Sequence, residues 1–181
     1  SGSPTMLKVM EKKITVEQNV KALKAAYDAG LPNVVQLVIG MPGETDKTIN
    51  ETIDFMKTAM KYYPDSFKKQ YDFLTSINYA QALPGTPLYE YARENGYIGD
   101  KDSIDDEEAY LINISDKDAY SVEHFINYTK QPLLKVYSWR HKIKWDLWLV
   151  HAKKNLKINI PKITVFFEVI IIIINKIFKL K

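Results

Sequence analysis

Two loops that contain glycine and proline are the residues of this chain best suited to bind a ligand. Residues 40–45 (GMPGET) and residues 83–89 (LPGTPLY) each follow an apolar run typical of a β-strand. Ligands of α/β proteins bind at the carboxyl ends of such strands. Gly40 and Gly43 lack a Cβ atom, so their backbone N–H groups can approach a ligand closely. The two loops therefore predict one shared site in part of an enzyme.

Glu44 is the acidic residue of the first of these loops. Free N–H groups where a helix begins suit a carboxylate or a phosphate, and Glu44 cannot help to bind such an anion. It would instead hold an ammonium group or a ribose hydroxyl. The alternative is that Glu44 only stabilises the start of the next helix, where the helix dipole favours an acid. The sequence leaves both interpretations open.

Composition limits the kinds of chemistry that the chain can carry. With 181 residues and 46% hydrophobic side chains, it can bury the core of one domain. It has no cysteine, which excludes disulfides and any cysteine-bound zinc or iron–sulfur site within it, and which agrees with a reducing cytoplasm. Its histidines, His124, His141 and His151, are too scattered to indicate a metal site.

Helix signals open the chain. Ser3 before Pro4 predicts the cap of a short helix, and Thr15 with Gln18 fits a capping box that opens a second helix, which Gly30 ends. Apolar residues at helical spacing predict one buried face of that second helix: Val16, Val20, Leu23 and Tyr27.

Strand and helix signals then alternate. Residues 34–40 (VVQLVIG) form a nearly continuous apolar run, which predicts a strand covered on both faces. A helix begins near Thr45 or Asp46 with Ile49, Ile53, Met56 and Met60 on one face, and residues 71–80 predict the next strand. Thr86 before Pro87 predicts a helix that Gly96 ends. This order indicates a parallel α/β fold.

Charge separates the carboxyl-terminal part of the chain from the rest. Residues 1–129 hold 13 basic and 20 acidic side chains, a net charge of −7, whereas residues 130–181 hold 12 and 2, a net charge of +10. Residues 131–154 predict one long helix with three tryptophans among its basic residues. It either packs its tryptophans on the fold, lies on a membrane surface or contacts nucleic acid, and we favour these in that order.

The last apolar stretch, residues 163–180, is too short and too charged to predict a membrane span. It either dips into a membrane interface, with Lys176, Lys179 and Lys181 meeting anionic headgroups, or is a partly ordered tail.

Several segments together resemble the second half of a radical S-adenosylmethionine enzyme. They are SGS at residues 1–3, AGLP at 29–32, VIGMPGET at 38–45, LPGTPLY at 83–89, and Gly96. Within that superfamily the chain is most similar to the branch that carries an upstream cobalamin-binding domain. The resemblance covers residues 1–115 and leaves residues 116–181 as a basic, mainly helical extension rich in Trp and Ile.

The resemblance implies an incomplete part of a partial (β/α)6 TIM-like barrel whose mouth binds S-adenosylmethionine and a [4Fe-4S] cluster. In the family, reduction of S-adenosylmethionine releases a 5′-deoxyadenosyl radical, and methyl transfer or rearrangement can follow in cobalamin-dependent members. The cysteine loop that ligates the cluster, and any cobalamin domain, would lie outside this chain.

The resemblance also assigns cofactor contacts. Ser1 and Ser3 match positions near the ribose and methionine parts of S-adenosylmethionine. Leu37 and Ile39 match adenine contacts, although Ile39 can equally be a core residue and the core is the default for Leu37, and Glu44 closes that motif. The backbone of Ala80, Gln81, Ala82 and Leu83 matches a further adenine contact. Residues 110–121 match a segment that caps the barrel, where Asn113 and Asp116 would face substrate. Tyr79 and Tyr89 are candidates at the mouth, and no catalytic residue is identified.

Two strands cannot close a barrel, so the chain is predicted to be a fragment or one subunit that needs the amino-terminal half or a partner chain. The substrate, a small or lipid-like molecule, is not specified by the sequence. We expect a cytoplasmic protein, with residues 131–181 available for an anionic membrane at its inner face and nucleic acid disfavoured. The alternative function is a non-catalytic scaffold module that associates with a membrane or a partner.

Overall fold

A computed structural model describes residues 1–63, 75–99 and 125–156 as an α/β fold. The elements are α1 (Pro4–Val9), α2 (Val16–Asp28), β1 (Val35–Ile39), α3 (Asp46–Ala59) with a 3₁₀ turn (Met60–Tyr62), β2 (Thr75–Tyr79), α4 (Pro87–Glu94) and α5 (Leu133–Leu156). The chain divides into two compact units, Ser1–Leu147 and Trp148–Lys181. Of the second unit, only the end of α5 is described.

Side-chain caps begin the first four helices where the sequence predicts them. The Ser3 hydroxyl accepts from the backbone N–H of Met6 at the start of α1. Thr15 and Gln18 form the predicted capping box of α2, in which the Thr15 N–H donates to Gln18 Oε1 at 2.8 Å. Thr45 caps α3 and Thr86 caps α4. These starts depend on residues within one turn of each other, which is why the sequence predicts them.

The two strands are parallel neighbours joined by α3. Their register pairs Val35 with Thr75 and Ile39 with Tyr79, so both carboxyl ends lie at the same edge of the sheet. The ladder continues beyond the strands, because the Ala80 N–H donates to the Ile39 carbonyl at 2.8 Å. The predicted parallel βαβ unit is confirmed.

The prediction that β1 is covered on both faces is wrong for the described part of the chain. Leu37 and Ile39 are buried, whereas Gln36 and Val38 on the opposite face are exposed. Only one helical layer packs on the sheet there. The exposed side borders an open groove of about 590 Å³, which Leu7 and other residues of α1 and α2 also line.

The second helix is also less buried than its periodicity predicts. No residue of α2 is fully buried, and Tyr27 is 42% exposed. Val16, Val20 and Leu23 are partly buried against the core. One side of the helix lines the groove beside β1, where the described residues supply no further layer to cover it.

The main hydrophobic core lies between the buried face of the sheet and two helices. Leu37, Ile39, Ile77 and Tyr79 of the strands share it with two sets of helical residues. These are Ile49, Ile53, Phe55, Met56 and Ala59 of α3, and Val136, Trp139, Ile143 and Leu147 of α5. The predicted apolar face of α3 is confirmed, with Met60 packed partly against the core.

Trp139 and Asp46 attach α5 to the start of α3. The Trp139 ring is 1% exposed, and its Nε1 donates to Asp46 Oδ1 at 2.6 Å. Lys135 Nζ lies 2.7 Å from Asp46 Oδ2, and this hydrogen bond lowers the pKa of Asp46 from its usual value. Among the three interpretations of this helix, packing on the fold is therefore the one that applies to Trp139.

Several predictions lie outside the described residues. They concern the capping segment 110–121 with Asn113 and Asp116, His124, the boundary between residues 115 and 116, the first residues of the strand predicted at 71–80, and the tail 163–180 with Lys176, Lys179 and Lys181. No helix within the described ranges combines the length and apolar character that crossing a bilayer requires. Association of residues 131–181 with a membrane surface stays a prediction.

Candidate functional site

The two loops meet at the carboxyl ends of the strands. The first loop (residues 40–45) follows β1. In the structure the second loop comprises residues 80–86 after β2, and the last three residues of the predicted segment 83–89 begin α4. The hydrogen bond from Ala80 to Ile39 ties their bases together. Met41 of the first loop packs against a small hydrophobic cluster, the loop cluster, made of Ala80, Ala82, Tyr89, Ala92, Ile98 and Tyr128. The structure thus brings together the two segments that the sequence singled out.

Glu44 folds back into the first loop. Its side chain is 1% exposed, and its Oε2 accepts the N–H of Gly40 at 2.5 Å. Burial raises the pKa of Glu44 to about 7, against the opposing effect of hydrogen bonds from the backbones of Gly40 and Met41. Thr45, not Glu44, caps α3. The interpretation of Glu44 as a helix cap is therefore wrong, and in this geometry its carboxyl group fixes the shape of the loop.

This burial predicts a pH-dependent stability. Because the pKa of Glu44 in the fold exceeds its ordinary 4.5, its stabilising contribution is complete below about pH 4.5 and is lost as the pH rises through about 7. We expect the free energy of unfolding of Glu44→Gln, relative to the unsubstituted chain, to rise by about 3 kcal/mol between about pH 4 and about pH 8. Urea denaturation at each pH measures this difference. A difference that does not change with pH would show that the Glu44 carboxylate is hydrated in the fold.

Ser1, Gly2 and Ser3 are held by side chains of α3. The Ser3 hydroxyl, which is fully buried, donates to Glu51 Oε2 at 2.5 Å. The Gly2 N–H donates to Thr52 Oγ1 at 3.2 Å, and the Ser1 hydroxyl lies 3.2 Å from the same oxygen. Neither Glu51 nor Thr52 was among the residues predicted for the site.

A signal for one of these α3 residues is present in the sequence. Thr48 and Thr52 stand four positions apart and are both buried, although they are polar. Buried hydroxyls in a helix face need hydrogen-bond partners, so such a pair indicates a neighbouring polar segment. No comparable pattern identifies Glu51, which is half-buried.

The expected adenine contacts divide between core and surface. Leu37 is 0% and Ile39 1% exposed, and both belong to the main core. Val38, on the opposite face of β1, is 37% exposed. Strict alternation of side chains along a strand would have identified it. In the second loop Ala80 and Ala82 are buried, Gln81 is half-buried and Leu83 is 49% exposed.

An aromatic ring covers the base of the first loop. Gly40 has φ +91°, and a Cβ atom added to it would lie 2.4 Å from Cε2 of Phe125. The centroid of the same Phe125 ring lies 4.9 Å from the centroid of the Tyr79 ring, at an interplanar angle of 34°. The sequence predicted close approach of a ligand to Gly40, and the structure has the side chain of Phe125 there. We call the space between Gly40 and Tyr79 the ring site.

The two tyrosines that the sequence placed at the mouth are both buried. Tyr79 is 3% exposed, and burial raises its pKa, while the guanidinium of Arg140 lies 5.6 Å from its ring centroid. Tyr89 is 2% exposed and belongs to the loop cluster. Both rings therefore pack within hydrophobic clusters.

No metal centre is formed by the described residues, which contain no group of three or more His, Asp or Glu side chains close enough to hold an ion. Iron–sulfur clusters are held mainly by cysteine thiolates, and the sequence has no cysteine. The residues of this chain therefore do not fit a [4Fe-4S] cluster.

Comparison with known proteins gives a family match at the amino-terminal end. The family model of the radical SAM superfamily matches residues 1–56. This is the family of S-adenosylmethionine enzymes that the sequence resembles. The chain is 34% identical over 98 residues to an uncharacterized methyltransferase of Pyrococcus horikoshii, a region that covers 54% of this chain and 19% of that protein.

A second relative is the tRNA-2-methylthio-N(6)-dimethylallyladenosine synthase of Alkaliphilus oremlandii. It is 32% identical over 90 residues, which cover 48% of this chain and 17% of that protein. The matched region thus spans less than a fifth of either curated relative. No solved structure matches the chain. The resemblance to the radical SAM superfamily is confirmed, whereas the cobalamin branch stays a prediction.

Proposed function

We propose, from the radical SAM match of residues 1–56, that this chain forms the carboxyl-terminal part of a radical SAM barrel and that its two loops hold the adenosyl part of S-adenosylmethionine. The observation that carries the proposal is the convergence of the two loops at one edge of the sheet. The hydrogen bond from Ala80 to Ile39 and the packing of Met41 on the loop cluster hold them there.

The ring site supports this assignment because it already accommodates a flat ring. Phe125 lies over Gly40 and packs on Tyr79, so a planar aromatic group has the shape and the apolar surroundings that this site accepts. In the proposal the adenine ring lies in the ring site, against the backbone of the second loop, and Ser1 and Ser3 lie toward the ribose and methionine parts.

In this proposal the residues of this chain bind S-adenosylmethionine, orient it and exclude water from it. The bound S-adenosylmethionine supplies the reactive sulfonium itself. The carboxyl group of Glu44 holds the Gly40 N–H and keeps the first loop in its bent shape. Glu51 and Thr52 keep the Ser1–Ser3 segment on α3. The loop cluster closes the underside of the site with apolar side chains, which exclude water from it.

The cluster and any second cofactor belong to other parts of the whole protein in this proposal. Since the chain lacks cysteine, the ligands of the [4Fe-4S] cluster would lie outside it. Methyl transfer is the reaction class that we favour, and the name of the Pyrococcus horikoshii relative, a methyltransferase, supports it. Cobalamin dependence rests on the sequence resemblance alone.

The uncovered side of β1 supports the view that further polypeptide completes the fold. Val38 is 37%, Val9 44% and Ile14 44% exposed. Val38 and Ile14 line the groove of about 590 Å³ beside the strand. Apolar surface of this kind normally lies at an interface. In the proposal, the preceding strands of the barrel, from the same polypeptide or a partner, pack here.

Saturation-transfer difference NMR with S-adenosylhomocysteine tests the proposal, because this ligand has the adenosyl group and needs no cluster. We expect saturation transfer to the adenine and ribose protons, with a Kd of about 1 mM for a partial site. Leu134→Ala, an exposed position on α5, is the control and should bind equally. Absence of transfer from the folded chain, or transfer only to the homocysteine protons, would contradict the proposal.

A further inference from the structure

Phe125 belongs to a short segment that the proposed function does not use. Residues 125–132, which we call the cover segment, lead into α5. Their sequence contains no signal for a ligand. In the structure, however, Phe125 lies in the ring site, with Cε2 2.4 Å from the position that a Cβ on Gly40 would take.

The cover segment is firmly held at its carboxyl-terminal end. Asn127 Oδ1 accepts from the N–H and the hydroxyl of Thr129 at 3.1 and 2.7 Å. Asn127 Nδ2 donates to the Gln131 carbonyl at 2.6 Å, and the Gln131 N–H donates to Thr129 Oγ1 at 3.1 Å. Tyr128 is 1% exposed within the loop cluster. These bonds fix the shape of the turn that precedes α5, and burial of Tyr128 attaches the turn to the loop cluster.

Phe125 itself is held less tightly than this turn. Its side chain is only partly buried, and it packs by ring contacts with Tyr79, Tyr128 and Tyr137. A planar ligand could replace the ring contacts on the side of Gly40 and Tyr79, because aromatic pairs of this kind depend on shape and apolar surroundings. Phe125 is thus a partly buried ring, next to a turn that its own hydrogen bonds shape, in the place that a planar ligand would take.

We propose that Phe125 is an internal occupant of the ring site, which a ligand with a planar heteroaromatic ring must displace before it binds between Gly40 and Tyr79. This inference rests on the proposed function for the identity of the ligand, the adenosyl group. It adds that a residue of the chain itself competes with the ligand for the ring site.

Calorimetric titration of Phe125→Ala with S-adenosylhomocysteine tests the inference. We expect about tenfold tighter binding than in the unsubstituted chain, the factor that follows if covered molecules outnumber open ones by about ten to one. Phe125→Leu keeps an apolar side chain without a ring and should give a smaller increase. Circular dichroism reports whether each variant folds. If Phe125→Ala does not fold, binding by Phe125→Leu tests the inference in its place.

A readout without ligand is provided by a single thiol, because the chain has no cysteine. Met41→Cys places that thiol in the first loop, and we expect it to react faster with a maleimide when Phe125 is alanine. Equal or weaker ligand binding by both Phe125 variants, with measurable binding by the unsubstituted chain, would overturn the inference and leave the proposed function. No binding by any variant, although the thiol at position 41 reacts faster, would overturn both.

Discussion

Trp139→Ala is expected to destabilise the fold by about 3–5 kcal/mol, the cost of removing a large aromatic side chain from a core. The ring is 1% exposed and belongs to the core that α5 shares with β1, β2 and α3. The substitution also leaves Asp46 Oδ1 without the hydrogen bond from Trp139 Nε1. Urea denaturation followed by circular dichroism measures the change in the free energy of unfolding.

Two variants on the same chain separate the causes of this effect. Trp139→Phe keeps a ring in the core but removes the Nε1 donor, so we expect a loss of about 1–3 kcal/mol. Leu134→Ala lies on the same helix at a position that is 70% exposed and should change stability by less than about 0.5 kcal/mol. If Trp139→Ala costs no more than Leu134→Ala, α5 does not pack on the sheet in solution.

Gly40→Ala is expected to cost about 2–5 kcal/mol. Part of this is backbone strain, because Gly40 has φ +91° and an L-residue there loses about 1–2 kcal/mol. The rest is overpacking of about 1–3 kcal/mol, since the new Cβ would lie 2.4 Å from the Phe125 ring. The midpoint and slope of urea unfolding report the loss.

Gly43→Ala is the matched control for the backbone part of that loss. Gly43 has φ +77°, and a Cβ added there meets nothing within 4 Å. Gly43→Ala should therefore lose only the part of the stability that the backbone strain costs. In a Phe125→Ala background, Gly40→Ala should cost no more than Gly43→Ala, because the clash is gone. An unchanged cost of Gly40→Ala in that background would mean that Phe125 does not lie over Gly40.

The elements that the sequence predicts correctly depend on nearby residues. Ser3, Thr15, Thr45 and Thr86 cap helices through atoms no more than three residues away. The parallel arrangement of β1 and β2 follows from the strand, helix, strand order, which leaves few topologies. The convergence of the two loops follows from that topology as well.

The features that the sequence does not predict depend on distant residues. Phe125 reaches Gly40 across 85 positions, and nothing in either local sequence indicates the contact. The inward orientation of Glu44 depends on the bend of its loop, and the single covered face of β1 depends on which layers are present. Leu37 and Ile39 read equally well as core residues or ligand contacts, because both roles require apolar side chains at the end of a strand.

The central claim is that the two loops form one adenosyl site, and an amide-resolved NMR titration of the chain with S-adenosylhomocysteine tests it most directly. If the two loops form one site, amide resonances of Gly40, Met41 and Glu44 shift together with those of Gln81, Ala82 and Leu83, along curves with a single Kd. Shifts confined to one loop, curves with different dissociation constants for the two loops, or shifts only along the basic residues of α5 would contradict it.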